Sequence, residues 1–278
     1  MVNPSRETNL HIIIRCVSVT FLSEVLVDPI TLLIVCPLVF LAGLVDSIAG
    51  GGGLISLTAY LIAGLPAHVA LGTNKLSSSI GTVVATARMA LGGYIKLKLA
   101  VPAAVGAVLG SVIGAKLALL TPDSIFQVLL IVALPIVAFL VLRKRTIDVP
   151  EDAEISLRKQ YLIVAVASLL LGGYDGFYGP GTGTFMLIAF TAAAKLPVKY
   201  ASGEVKVANL ASNIAALVTF FMHGAVWLGL GLVAAAFSIA GNYLGAGLVM
   251  KDGTKIVRPI IIVVLALLFV KVIFDLLV

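Results

Sequence analysis

Residues 43–53 read Gly-Leu-Val-Asp-Ser-Ile-Ala-Gly-Gly-Gly-Gly, and residues 172–183 read Gly-Gly-Tyr-Asp-Gly-Phe-Tyr-Gly-Pro-Gly-Thr-Gly. At an offset of 129 residues Gly43 falls on Gly172, Asp46 on Asp175 and Gly50 on Gly179. Each stretch closes an apolar run and then interrupts it, because consecutive glycines do not hold a helix. Each leads into a short apolar segment, Leu54–Leu65 and Phe185–Ala194. Further on, Gly72-Thr-Asn-Lys75 matches Gly203-Glu-Val-Lys206 at an offset of 131, which also pairs Gly93 with Gly224, Gly110 with Gly241 and Gly114 with Gly245. The chain therefore reads as an internal repeat over residues 30–278: Gly-x-x-Asp, a glycine break, a short segment, a Lys-led helix and two further spans.

Composition fixes the medium. Of 278 residues 60% are hydrophobic and 12% charged, with a mean hydropathy of +1.16. An ordinary soluble domain carries about 45–50% apolar and about 25% charged residues. Ten spans of ~20 residues use nearly the whole chain, so no sizeable extramembrane domain is expected. The apolar runs show helical rather than alternating character, and helices satisfy their backbone inside a bilayer. The expected fold is an all-α polytopic membrane protein with two five-segment repeats and Gly-broken short helices. Its parts are an N-terminal extension (1–28), a first transmembrane repeat (29–142), a cytoplasmic loop (143–160) and a second transmembrane repeat (161–278). Residues 12–28 carry Arg15, Glu24 and Asp28 and either span or lie at the interface. Cys16 and Cys36 have no metal or redox spacing, no cleavable signal peptide is evident, and no cofactor is expected.

The net charge of +6 does not point to nucleic acid, because the basic residues punctuate apolar segments. They are Lys96, Lys98, Arg143, Lys144, Arg145, Arg158, Lys159, Lys195, Lys199, Lys251, Lys255 and Arg258. With five segments per repeat all twelve fall on one side, which the positive-inside rule makes cytoplasmic. The loops near His68, Asp123 and His223 carry none. Five is odd, so the repeats are then inverted. If segments 54–65 and 185–194 only re-enter, each half crosses four times and the repeat is parallel. The clean charge split favours inversion.

Ionisable residues inside spans cost about 2.5–3.5 kcal/mol each on insertion scales and so mark function or pairing. Asp46 and Asp175 are one symmetric pair, Lys75 and Lys206 another. Lys206, Asn209 and Asn213 share a helix face, as do Lys75, Ser78, Ser79 and Thr82. Donors around a cation suit a small oxyanion. The glycine breaks, including Gly51, Gly52 and Gly181, expose N–H groups at helix starts, which also attract anions. The expected substrate contacts are Lys75, Lys206, Asn74, Ser78, Asn209, Asn213, Gly51, Gly52 and Gly181. Close helix packing is the alternative for the glycines, and internal ion pairing with Asp46 and Asp175 the alternative for the lysines. Glu204 stands where the first half has Thr73; it is either a proton-coupling group or a partner for Lys206. Arg88 is an ion pair or a gate. His223 reads as interfacial and Trp227 as an aromatic-belt anchor.

Gly43 to Ile55, Gly72 to Leu76 and Gly173 to Gly181 together resemble the signature of the TauE/SafE family, also called the sulfite exporter or TSUP family. The resemblance covers roughly residues 30–278, leaving the N-terminal extension outside. It implies a multi-pass plasma-membrane permease of prokaryotic type for small sulfur-containing or organic anions such as sulfite and sulfonates. Asp46, Lys75, Asp175 and Lys206 stand at family motif positions. The function expected is secondary transport of a small anion by alternating access, in contact with the lipid bilayer and with Asp46, Asp175 or Glu204 available for proton coupling. The alternatives are an anion channel and an intramembrane aspartyl protease. The latter suits two intramembrane aspartates but not the lysine repeated after each. Substrate identity, direction and oligomeric state stay open.

Overall fold

The computed structural model describes residues 27–122, 155–252 and 255. The expected spans 125–142 and 256–278, nearly all of the N-terminal extension and most of the 143–160 loop lie outside them. Among the described residues every regular element is helical: α1 (Pro29–Ala49), α2 (Gly52–Ile62), α3 (Ala67–Leu91), α4 (Leu97–Leu120), α5 (Leu157–Phe177), α6 (Thr182–Ile188), α7 (Val198–Met222) and α8 (Leu228–Asp252). A π turn, Ala189–Ala193, continues α6. Helices α1, α4, α5, α7 and α8 are long and apolar enough to cross a membrane. The chain is a multi-pass membrane protein.

The glycine breaks fall where the sequence places them. Gly50 ends α1 in the left-handed region at φ 74°, and Gly179 and Gly181 before α6 adopt φ 101° and 81°. The two breaks meet: a Cβ on Gly50 would lie 2.2 Å from the carbonyl carbon of Gly183. The Thr184 hydroxyl donates to the Ala49 carbonyl at 2.6 Å. One expectation is corrected. The lysines do not lead their helices. Helix α3 starts after Pro66 and α7 after Pro197, with near-identical N-cap dihedrals (φ −55° at both). Lys75 and Lys206 therefore lie more than two turns inside, with their helical hydrogen bonds already made. Proline pre-sets φ and needs no N–H partner at a helix start, and this outweighs the polar residues that follow.

Glycine seams set the packing. On α4, a Cβ at Gly110 would sit 2.0 Å from the Leu169 carbonyl oxygen, and one at Gly114 1.9 Å from that of Gly173. On α8, a Cβ at Gly241 would sit 2.1 Å from the Phe40 carbonyl oxygen, and one at Gly245 2.5 Å from that of Leu44. Numbers rise together across both seams, so α4 runs parallel to α5 and α8 parallel to α1. Helices α3 and α7 are antiparallel: Lys75 reaches Asn213 at 2.9 Å and the Thr86 hydroxyl reaches the Lys206 carbonyl at 3.3 Å. With the short connections 92–96 and 223–227, it follows that α1 opposes α5, α3 opposes α7 and α4 opposes α8. In a bilayer small residues let backbones approach and gain dispersion contacts that lipid would otherwise supply.

Gly110→Ala and Gly241→Ala are each expected to lower the melting temperature in detergent clearly more than Gly64→Ala. Gly64 has φ 85° and open space around its Cβ position, so it incurs only the ~1–2 kcal/mol conformational penalty. Equal shifts for all three would refute the seams.

Candidate functional site

Two buried ion pairs cross the middle of the bundle. Lys75 Nζ on α3 donates to Asp175 Oδ2 on α5 at 2.7 Å, and Lys206 Nζ on α7 donates to Asp46 Oδ2 on α1 at 2.7 Å. Each lysine thus meets the aspartate of the other half, not the one before it in sequence. The Lys75 and Asp175 side chains are 3% and 4% exposed, and Asp46 is 16% exposed. Removing such charges from water costs several kcal/mol per ion, recovered only with good geometry and further hydrogen bonds. Those bonds are present. Asp175 Oδ2 also accepts from the Ser212 hydroxyl. Lys206 Nζ also donates to the Asp46 carbonyl at 2.6 Å.

Asparagines on α7 join the pairs. Lys75 Nζ donates to Asn213 Oδ1 at 2.9 Å, Asn213 Nδ2 to Asn209 Oδ1 at 3.4 Å, and Asn209 Nδ2 to Asp46 Oδ2 at 3.3 Å. The chain runs in one direction from Lys75 to Asp46. Moving Lys75 therefore disturbs the partners of Asp46.

A cavity of about 30 Å³, measured as space open to the centre of a water molecule, lies against this network. A site needs about 10–15 Å³ on that measure to hold one water, so it suits a compact occupant. Lys75, Asp46, Asp175, Asn74, Ser78, Asn209 and Asn213 line it, as do Gly50, Gly52, Gly53 and Gly179 at the breaks. Ser78 and Thr82 occupy the repeat positions of Asn209 and Asn213, and the cavity lies along these shorter side chains. Lys206 stands behind Asp46, outside the lining. Gly51 and Gly181 are N-caps of α2 and α6 and also stand outside it. Three polar lining residues carry no charge signal and escape the sequence reading: Ser56, Ser238 and Asn242. Asn242 accepts from the Ser47 hydroxyl at 2.7 Å and donates to the Ser238 carbonyl at 3.0 Å. An asparagine between Gly241 and Gly245 in an apolar span is the clue that was available.

The Gly-x-x-Lys motifs have a second use. A Cβ at Gly72 would lie 1.9 Å from the Ala225 carbonyl oxygen, and one at Gly203 2.2 Å from that of Tyr94. Each glycine lets the connection before α8 or α4 lie against the helix. The next side chain then caps the incoming helix: Thr73 Oγ1 accepts from Trp227 N–H at 2.9 Å, and Glu204 Oε1 accepts from Lys96 N–H at 2.6 Å. Trp227 and Lys96 are themselves 131 apart. Glu204 is therefore not the partner of Lys206, which is engaged by Asp46. Residue 204 projects from α7 toward α4, two positions and about 200° around the helix from residue 206.

Arg88 forms no ion pair among the described residues. Its guanidinium donates to the Tyr243 carbonyl and lies 3.9 Å from the centre of that residue's ring. This anchors α3 to α8. His223 is exposed at the end of α7, with Nδ1 2.7 Å from the Thr219 carbonyl. Basic residues gather at the opposite end. There the Lys96 ammonium lies 4.6 Å from the Tyr200 ring centre, and Lys199 donates to the Met250 carbonyl at 2.8 Å.

The model of the sulfite exporter TauE/SafE family matches residues 35–272. The chain belongs to this family. It is 34% identical over 237 residues to a probable membrane transporter protein, ORF9, of Sinorhizobium sp., covering 85% of this chain and 90% of that one. It is 34% identical over 238 residues to a probable membrane transporter protein of Haemophilus influenzae, covering 85% and 92%. It is 32% identical over 259 residues to the probable membrane transporter protein YfcA of Escherichia coli K12, covering 92% and 94%. No solved structure gives a significant match. The chain is thus a membrane transporter of the TauE/SafE family, and the plasma membrane is the compartment expected for it.

Breaking one buried pair leaves an uncompensated charge, at about 3–5 kcal/mol. Lys75→Gln and Asp175→Asn singly are expected to lower thermal stability in detergent strongly, and the double variant to recover most of the loss. Additive losses would show that the pair does not act as a unit.

Proposed function

We propose that this TauE/SafE transporter carries a small oxyanion by alternating access, with Lys75 as its principal contact. The observation that supports this most is the placement of a lysine, its partner carboxylate and an opened glycine backbone around one compact cavity at mid-bundle. An anion entering the cavity competes with Asp175 for the Lys75 ammonium. Asp175 keeps the Ser212 hydroxyl as a donor when Lys75 turns away, so the exchange leaves neither partner bare. Gly52 and Gly53 begin α2, whose first N–H groups have no partner within the helix and face negative charge favourably. Asn74, Ser78, Asn209 and Asn213 supply neutral donors around the bound oxygens.

The opposed directions of α1 and α5, α3 and α7, and α4 and α8 support an inverted repeat, the architecture in which two halves rock about a central site. The gathering of basic residues at one end supports that end as cytoplasmic. Lys206, outside the lining, acts through Asp46. When Asp46 is drawn toward the other end of the cycle, Lys206 is released in its turn, so the two pairs alternate. Sulfite is the first choice of anion, on the family's name, with sulfonates next. The crossed pairs disfavour an aspartyl protease, which works with two carboxylates sharing one proton: here each aspartate meets a lysine instead.

Thermal stabilisation of the purified protein by sulfite, thiosulfate, sulfoacetate, taurine and non-sulfur carboxylates identifies the anion. Flux of the stabilising anion into proteoliposomes is then expected to be lost in Lys75→Gln/Asp175→Asn and in Lys206→Gln/Asp46→Asn, with both variants folded. Unchanged flux in both would overturn the site.

A further inference from the structure

Four ionisable side chains of the Asp, Glu, Lys and Arg types are buried among the described residues: Lys75, Asp175, Glu204 and Lys206. Three of them belong to the crossed pairs. Glu204 does not. It is 0% exposed, its Oε1 accepts from the Lys96 backbone N–H at 2.6 Å, and its Oε2 is buried with no hydrogen-bond partner. Lys96 is close enough to act on this carboxyl group electrostatically, but among the described residues no cation forms an ion pair with it. The Lys96 ammonium lies over the Tyr200 ring at 4.6 Å. The Lys199 ammonium donates to the Met250 carbonyl and lies 5.8 Å from the Tyr94 ring centre. Lys206 is bound to Asp46, and Lys98 on α4 is exposed. Tyr94 and Tyr200 pack edge to face, with ring centres 5.9 Å apart, over this same end.

The repeat shows what the carboxyl group adds. The same capping position at the other end is filled by Thr73, a neutral hydroxyl that does the mechanical work of holding the start of α8. A hydroxyl therefore suffices to hold a helix start against the glycine of this motif. Glutamate at the α4 end brings an ionisable group, which threonine does not have. A buried carboxyl group with one satisfied oxygen and one orphaned oxygen is less costly neutral, with a proton on Oε2, than as an anion outside any ion pair.

We propose that Glu204 is a proton-binding site of this transporter, with the proton on Oε2, and that it links protonation to the closure of the Lys96 end alone. When the connection 92–96 lies against α7, Oε2 is sealed from water and holds its proton. When that connection lifts, water reaches Oε2, Glu204 gives its proton to that water, and the carboxylate is solvated. At the other end the capping Thr73 has no proton to give up. The two ends of a near-symmetric bundle thus answer differently to pH, whatever anion occupies the cavity.

The test needs no substrate. In infrared spectra of the purified protein at neutral pH, wild type is expected to show a protonated-carboxyl carbonyl band that Glu204→Gln and Glu204→Thr lose. In hydrogen–deuterium exchange corrected for intrinsic rates, residues 92–96 of wild type are expected to exchange faster as pH rises while those of both variants stay flat, and residues 223–227, which include His223, are expected to behave alike in all three proteins. Glu204→Thr and Glu204→Gln keep a capping acceptor, so their melting temperatures are expected to stay near wild type while Glu204→Ala falls. A carboxyl band that persists in both variants, or exchange at residues 92–96 that is equally pH-dependent with and without Glu204, would overturn the proposal. Neither readout depends on anion transport, so an incorrect choice of substrate leaves the result intact.

Discussion

The crossed ion pairs are the constraint on which the rest of the molecule depends. Two lysines and two aspartates placed in an apolar bundle are tolerable only if each finds its counterion at hydrogen-bond distance. Because Lys75 meets Asp175 and Lys206 meets Asp46, neither half of the chain satisfies its own charges. The glycine seams serve that need. They bring α4 to α5 and α8 to α1, and so hold α1 and α5 at the depth where the lysines reach them. The helix breaks serve it too, since Gly50 and Gly183 touch through backbone that no side chain could share. The Asn213–Asn209 bridge then ties both pairs into one network.

That network makes the site both stable and responsive. The two pairs sum to zero charge, so the resting network carries no net charge at mid-bundle. In the transport cycle proposed above an anion upsets this balance at Lys75, and hydrogen bonds through α7 connect Lys75 to Asp46. A purely apolar interface would offer no such route, and an unpaired lysine would be expensive to keep between cycles.

Much of this was legible from residue order. The offsets of 129 and 131 put in register glycines, aspartates and lysines that make like contacts in the structure. Even the equivalence of Glu204 with Thr73 was visible. The crossing of the pairs was not: Asp46 lies 29 residues before Lys75 in the chain yet bonds to Lys206, and only three-dimensional packing decides between the two lysines. Helix starts at Pro66 and Pro197 were missed because the polar run after each looked like a loop, whereas buried partners absorb those polar groups. Ser238 and Asn242 were missed because a neutral side chain in an apolar span carries no charge signal, although it forms part of the cavity wall.

The glycine seams also order events during synthesis. Asp46 bonds to a lysine 160 positions later, and the Phe40–Leu44 stretch of α1 packs on Gly241 and Gly245 of α8. At about 5–20 residues per second, α1 waits on the order of ten seconds or longer in the bilayer before either partner exists. During that interval its carboxyl group and its exposed carbonyl ridge face lipid or the insertion machinery. The first half of this chain is therefore a natural client for whatever shelters unfinished membrane helices, and a truncation after the first repeat leaves a product with no settled place in the membrane.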